Sequence, residues 1–332
     1  MKAMVMTRTG EPEETLSLWE MDEPVVTEPT QIKVRLRAAG VNPIDTKLRR
    51  RGLFYDNALP AVLGCDGAGE VVEVGQAVSR FRVGDRVWFC HGGLGAEPGN
   101  YAEYTVLDQR WAARMPVTLD FETAAAGPLV LITAWGALYD RGRLQAGQTV
   151  LIHAGGGGVG HVAVQLAKLR GARVLTTVGS EEKAVLCRQW GADGVIDYRH
   201  QDFVTAVHDL TQGKGADLVL DTVGPEVFER SIPCTAYFGD LVTLLDPGAV
   251  PLNEARMRNL RIGFELMLTP MLRNLDRARD HHVEILETCG EWIDAGKLSL
   301  HVSRVLPLEQ AATAHAAVES GHTTGKIVLR IG

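Results

Sequence analysis

The residues of this 332-residue chain best suited to hold a charged ligand are the run Gly155-Gly156-Gly157-Gly158-Val159-Gly160. Gly155, Gly157 and Gly160 match GxGxxG, with Gly158 and Val159 inside the same turn. Glycine at those places permits a tight turn, lets backbone approach a pyrophosphate, and lets a helix pack closely on a strand. The run follows a short apolar stretch, Thr149 to Ala154, and opens a helical pattern from Val159 to Leu169. The start of such a helix supplies unpaired N–H groups and positive dipole character for phosphates. A merely flexible glycine loop is the plain alternative, and the strand before and helix after argue against it. Beyond the turn by about 20 residues, an NAD site carries an acid for the ribose hydroxyls. Here the second strand ends Thr177-Val178-Gly179-Ser180, with no carboxylate at Val178. Ser180 and Lys183 offer a hydroxyl and a cation to a 2′-phosphate, against the opposing charges of Glu181 and Glu182. The balance points to NADPH.

The elements that must carry these residues change character along the chain. Up to about residue 120, short strands are punctuated by glycine and proline: Ile32 to Arg37 alternates with period two, and Gly69–Gly75 and Asp85–Phe89 are bounded by turn residues. That portion reads as a mostly antiparallel β domain. From Thr123 small and apolar residues run on with helical spacing to Leu138. Strand patterns (149–154, 173–178, 194–197, 217–221, 240–245) then alternate with helical ones (159–169, 181–190, 202–210). Arg261 to Leu268 reads as a final strand. Continuous apolar strands alternating with helices indicate a parallel sheet covered on both faces. A helix over Ala278–Ala295 precedes two strand-like tails, Leu298–Leu306 and Lys326–Ile331. The tails are expected to return to the first domain. The division is therefore 1–122 with 269–332 for one domain and 123–268 for the inserted one.

Composition narrows the function classes. The chain is 45% hydrophobic and 23% charged, as globular proteins are. No apolar run reaches the roughly 18 residues of a membrane span. The N-terminus lacks a signal-peptide layout, so a cytoplasmic location is the expectation. Net charge is −7, and Arg49-Arg50-Arg51, the one tight basic cluster, is too short for a nucleic-acid stripe. A solvated turn or an anion contact is the expected use of those arginines. Five scattered cysteines without a CxxC pair read as free thiols in a reducing compartment.

The chain resembles the medium-chain dehydrogenase/reductase superfamily, specifically its zinc-free quinone oxidoreductase branch. The resemblance rests on Ala39–Asp45, Leu63–Gly69, Val83–Val87, Ala154–Gly160, Trp190–Asp193, Asp221–Gly224 and Thr324–Val328, in family order over nearly the full length. It implies a GroES-like, mostly antiparallel β catalytic domain, a Rossmann doubly wound cofactor domain, and an active site in the cleft between them. By motif position it implies that Asn42 and Thr133 lie near the nicotinamide. It also implies that Tyr198 joins Ser180 and Lys183 around the 2′-phosphate. Without the resemblance, Asn42 reads as a turn residue, Thr133 as a helix residue and Tyr198 as a surface aromatic. Zinc-dependent relatives place a cysteine at or beside Asn42, a His-Glu pair at Cys65-Asp66, and a four-cysteine lobe that has no counterpart here. Cys65, Asp66, Cys90 and His91 are the alternative, as an unusual metal site, and metal-free chemistry is the expectation.

Without a Lewis acid, alcohol–ketone chemistry loses its usual support, whereas quinones, enones and 2-alkenals spread the charge that hydride delivery creates. One hydrogen-bond donor at the developing oxyanion then suffices. Relatives often carry a tyrosine two residues past the aspartate that is Asp45 here, and this chain has Lys47. Tyr55 is the remaining aromatic donor, with a partly exposed loop aromatic as its plain alternative. Lys47 and the arginines are candidates for an anionic substrate group. The expected protein is a homodimeric NADPH-dependent quinone or enone reductase with a small-molecule substrate. Its rivals are a zinc-dependent alcohol dehydrogenase and a non-catalytic, crystallin-like NADPH-binding protein.

Overall fold

The computed structural model describes residues 1–332, which form two compact units: Met1–Leu129 with Leu268–Gly332, and Val130–Met267.

In the first unit a seven-stranded sheet is built round the long strand Gln31–Val41, which pairs antiparallel with Asp66–Val74, Tyr104–Asp108 and Lys326–Arg330. Arg86–Cys90 and Ala113–Arg114 extend it on one side. On the other side Val302–Pro307 runs parallel to Lys326–Arg330. Period-two alternation explains the core, since Ile32, Val34 and Leu36 are all buried while Arg35 between them is exposed. A separate three-stranded sheet joins Leu16–Glu20, Lys2–Met6 and Ala61–Val62. The expected strand Leu298–Leu306 begins only at Val302. Its ladder partner starts at Lys326, because Gly325 turns with φ +58° against the His301 carbonyl. Regular ladder pairing therefore begins only at Val302, opposite Lys326.

Arg49-Arg50-Arg51 is not a solvated turn. These residues end the helix Pro43–Arg51. Arg49 is fully buried, donating to the Gly10 carbonyl and to Glu319 Oε1 at 2.5 Å, and Arg50 Nε lies 3.0 Å from the same carboxylate. The anion they contact is the protein's own.

The second unit is a six-stranded, all-parallel sheet. Numbered along the chain, its strands are Thr149–Ile152, Arg173–Val178, Gly194–Asp197, Ala216–Asp221, Thr235–Thr243 and Arg261–Phe264, in spatial order 3-2-1-4-5-6. That is the doubly wound order, with its switch point between strands 1 and 4. Leu151, Leu175, Ile196, Val219 and Leu241 pack with Phe203 and Phe228 in its core. The helical stretch expected from Thr123 to Leu138 is broken at Pro128, which the preceding helix cannot continue through. It becomes Phe121–Ala125, Pro128–Trp135 and a π-helical turn, Gly136–Arg141. The final strand stops at Phe264 rather than Leu268, because its neighbour ends at Thr243, paired with Phe264. No helix is long and apolar enough to cross a membrane.

Candidate active site

The glycine turn sits at the end of the first strand of the parallel sheet, beside the switch point. Ala154 already has φ +52°, turning the chain out of the strand. A Cβ on Gly155 would lie 2.1 Å from Thr176 Oγ1, and one on Gly160 would lie 2.2 Å from the Ala154 carbonyl oxygen. These two glycines are buried and set the strand–helix approach, while Gly157, Gly158 and Val159 are half-buried and reach solvent. Gly157 caps the helix Gly158–Leu169. The first-turn N–H groups, which have no intrahelical partner, are thus at the accessible part of the turn. His161, fully buried, holds the turn from inside through Nδ1, 2.6 Å from the Gly158 carbonyl oxygen.

The end of the second strand meets the same turn. Val178 is buried there, and the next carboxylates, Glu181 and Glu182, belong to the first turn of the following helix. Ser180 caps the helix Glu181–Gln189, its hydroxyl accepting from Lys183 N at 3.3 Å. The Lys183 stem lies over the glycine run, where a Cβ on Gly156 would come within 2.9 Å of it. Tyr198 closes the other side, its hydroxyl 2.5 Å from where a Gly179 Cβ would stand. Burial, and after it the charge of Arg199, lowers the Lys183 pKa. Ser180, Lys183 and Tyr198 are therefore one cluster, and Arg199 is a second cation in it that pattern reading missed. Its only local signal was its place next to Tyr198. Thr133 lies in this unit too, buried on the helix Pro128–Trp135.

In the first unit, Asn42 links the long strand to the helix Pro43–Arg51 and is fully buried. Its backbone N–H donates to Asp45 Oδ2 at 2.8 Å, and its side-chain Nδ2 donates to Asp66 Oδ2 at 2.9 Å. Lys326 Nζ donates to Asn42 Oδ1 and to the Val41 carbonyl at 3.0 Å, and lies 3.8 Å from Asp66 Oδ2. Asp66 Oδ1 accepts from Leu129 N at 2.8 Å, and Tyr101 OH donates to Asp45 Oδ2 at 3.0 Å. Burial, joined by the Asp66 charge and opposed by the Asn42 N–H, raises the Asp45 pKa to about 7. Burial also lowers Lys326 and raises Asp66, each opposed by the other's charge. Lys326 and Asp45 were not singled out as site residues and Asp66 was weighed only as a metal ligand; Lys326 stands 284 positions from Asn42.

Lys47 stays exposed on the helix Pro43–Arg51, its pKa lowered by partial desolvation and then by Arg51. Tyr55 is 37% exposed, in the segment after that helix. The segment is held to the loop around Leu94, where Phe54 N donates to the Leu94 carbonyl at 3.2 Å and Gly95 packs on Leu53.

A zinc ion does not fit these residues. Where zinc relatives offer a thiolate, Asn42 presents an amide already engaged at both ends, and the Lys326 ammonium beside it opposes a divalent cation. The Cys65 thiol is pushed well up by its hydrogen bond with Cys90 and by burial. Cys90, lowered by that contact, is raised on balance by burial and the Asp66 and Asp45 carboxylates. His91 has both nitrogens engaged, Nδ1 accepting from Arg279 at 2.7 Å and Nε2 lying 3.3 Å from Glu97. No three His, Cys, Asp or Glu side chains converge as a metal site.

Residues 28–117 match the family of alcohol dehydrogenase GroES-like domains, and residues 190–329 match that of zinc-binding dehydrogenases. A quinone oxidoreductase of Pseudomonas aeruginosa is 37% identical over 308 residues, covering 92% of this chain and 93% of the relative. A 2-haloacrylate reductase of a Burkholderia species is 32% identical, covering 98% of each chain. The structure of Escherichia coli quinone oxidoreductase complexed with NADPH superposes with TM-score 0.88 at 30% identity, over 99% of this chain and 100% of that one. The GroES-like sheet, the doubly wound sheet and these likenesses agree: the chain is an oxidoreductase of the medium-chain dehydrogenase/reductase superfamily and belongs to its quinone oxidoreductase branch.

Proposed function

We propose that this protein uses NADPH to reduce a quinone or an α,β-unsaturated carbonyl compound without a metal ion. The observation that carries the reading is the cluster of Ser180, Lys183, Tyr198 and Arg199 round the glycine turn, where an NAD site would have an acid. Two cations and two hydroxyls there suit a 2′-phosphate. When bound, NADPH supplies a hydride from C4 of its nicotinamide and leaves as NADP⁺. The turn from Gly155 to Gly160 holds the pyrophosphate on backbone N–H groups, and Asn42 and Thr133 serve the nicotinamide end. Tyr55 OH donates to the oxygen on which negative charge develops, its proton completing the reduced product. Lys47 serves an anionic substituent of the acceptor. In the proposed domain division at residues 122/123 and 268/269, Asn42, Lys47 and Tyr55 belong to one domain and Thr133 with the glycine turn to the other.

The test is a panel of acceptors assayed before and after chelation. NADPH-driven reduction of a 1,4-quinone or an enone is expected to survive chelator intact and to exceed simple alcohol oxidation by about a hundredfold or more. Chelator-sensitive alcohol oxidation would sink the reading. Lys183→Ala is expected to weaken NADPH binding by about ten- to a hundredfold, with NADH nearly unchanged. Equal losses for both cofactors would remove Lys183 from the 2′-phosphate site.

The same reading includes a homodimer. Arg261–Phe264 is an edge strand, and Tyr237, Phe238, Met257, Phe264 and Leu266 are exposed around it. Unpaired edges and clustered apolar side chains call for cover. Light scattering should give about twice the 36.0 kDa chain mass, and a monomer at micromolar concentration would exclude the dimer.

A further inference from the structure

We propose that Lys326 is a positioning residue, whose ammonium fixes the orientation of the Asn42 amide and thereby the start of the helix that carries Lys47. The argument is one of donor and acceptor inventory. An ammonium has only protons to give and an ionised carboxylate only lone pairs, whereas an amide has one end of each kind. Asn42 lies between them, Oδ1 facing Lys326 and Nδ2 facing Asp66. Turned by 180°, the amide would set N–H against ammonium and oxygen against carboxylate, so both contacts would become repulsive in a buried site. The lock reaches the backbone as well. Lys326 also holds the Val41 carbonyl, and the Asn42 N–H is fixed by Asp45 Oδ2, so both polar ends of the peptide unit that joins Val41 to Asn42 are tied. Pro43, the next residue, begins the helix with Lys47 on its second turn. Lys326 can act this way because Ile327 pairs with Val41, which brings the first residue of the C-terminal strand beside Asn42. Lysine is costly to bury, and neither neighbouring strand needs its charge to form a ladder, so the ammonium acts on the groups it faces: the Asn42 amide, the Val41 carbonyl and Asp66.

The proposal rests on the reading that the segment from Asn42 to Tyr55 serves cofactor and substrate, and its test separates the two. In the full-length protein labelled with 15N-asparagine, the Asn42 side-chain NH2 is expected to give two distinct, slowly exchanging protons. Lys326→Met should speed their exchange by about a hundredfold, and Lys326→Arg, which keeps a donor-only cation, should restore much of the protection. If Lys326→Met does not accumulate as folded protein, Asp66→Asn asks the same question from the acceptor side, with the same loss expected. Unchanged exchange in Lys326→Met or in Asp66→Asn overturns the proposal. Kinetics with NADPH and a 1,4-quinone then read the consequence. Lys326→Met and Asn42→Ala should each lower kcat/KM by about tenfold, and the double variant should lose little more than either. Fully multiplicative losses would overturn the positioning role. Fast amide exchange in Lys326→Met with normal kinetics in both single variants would leave the lock standing and remove this segment from the proposed function.

Discussion

Gly160→Ala is expected to weaken dinucleotide binding by about a hundredfold or more, from the addition of one methyl group. The added carbon would stand 2.2 Å from the Ala154 carbonyl oxygen and 2.7 Å from Gly155 Cα. Both obstacles are backbone, so neither can rotate away. Relief requires the helix Gly158–Leu169 to move off the strand it packs on, which displaces the first-turn N–H groups from the phosphates. Overpacking of this kind also destabilises the fold by about 1–3 kcal/mol. Gly155→Ala should fall next in severity, because its obstacle is Thr176 Oγ1, which donates to the Ile152 carbonyl at 2.7 Å. That hydroxyl can be pushed aside at the cost of its hydrogen bond. Gly157→Ala should be mildest, with its nearest atom at 3.2 Å and φ at an ordinary −87°. Gly147→Ala is a useful control. It is strained by φ +82° but crowded by nothing within 4 Å, so it should lower stability without changing affinity. The measurement is fluorescence titration with NADPH, alongside thermal unfolding. Wild-type affinity in folded Gly160→Ala would show that this turn does not cradle the pyrophosphate.

The ranking also shows which parts of the molecule its sequence makes legible. Strand, turn and helix at 149–169 are contiguous, so local periodicity and glycine spacing report them directly. The same holds for the alternation of strands and helices that gives the doubly wound sheet. The placement of Ser180 and Lys183 beside the turn was readable because the second strand ends at a fixed distance from it. What stayed hidden depends on pairings that no local pattern encodes. Arg49 and Glu319 meet across 270 positions, which buries the first arginine of an apparently solvated basic cluster at a helix end. Lys326 precedes an apolar strand, and nothing nearby shows that the strand delivers it to Asn42. Asp45 looked like part of a motif, although the cost of its burial is increased by Asp66 and relieved by Tyr101 and Lys326, which come from three distant parts of the chain.

That burial has the second large consequence: stability should depend on pH through Asp45, and Asp45→Asn should remove the dependence. The carboxyl's ordinary pKa is 3.8, and burial raises it to about 7 in the folded protein. Between those values the folded state holds a proton that the unfolded chain has released. Stability from this group is therefore fully present below pH 3.8, is lost as pH rises toward about 7, and changes no further above it. At 1.36 kcal/mol per unit, the shift corresponds to a loss of roughly 4 kcal/mol across the window. Asparagine keeps an oxygen for the Asn42 N–H and for Tyr101 OH but carries no charge to desolvate. The wild-type and Asp45→Asn curves should thus diverge from about pH 4 upward, with the variant the more stable at pH 7 and above. The difference between the curves is the quantity to read, because Asp85, Asp193 and Asp202, whose pKa values are lowered, contribute the opposite slope to both proteins. Glu265 offers an independent check in the second unit. Burial against Gly136, opposed by Arg141, takes it from 4.5 to about 7, so Glu265→Gln should produce a divergence of the same sign. Urea unfolding from pH 4 to pH 8 decides the matter. Parallel wild-type and Asp45→Asn profiles would mean that Asp45 stays ionised in the fold, stabilised by Lys326 and the Asn42 N–H more than burial penalises it.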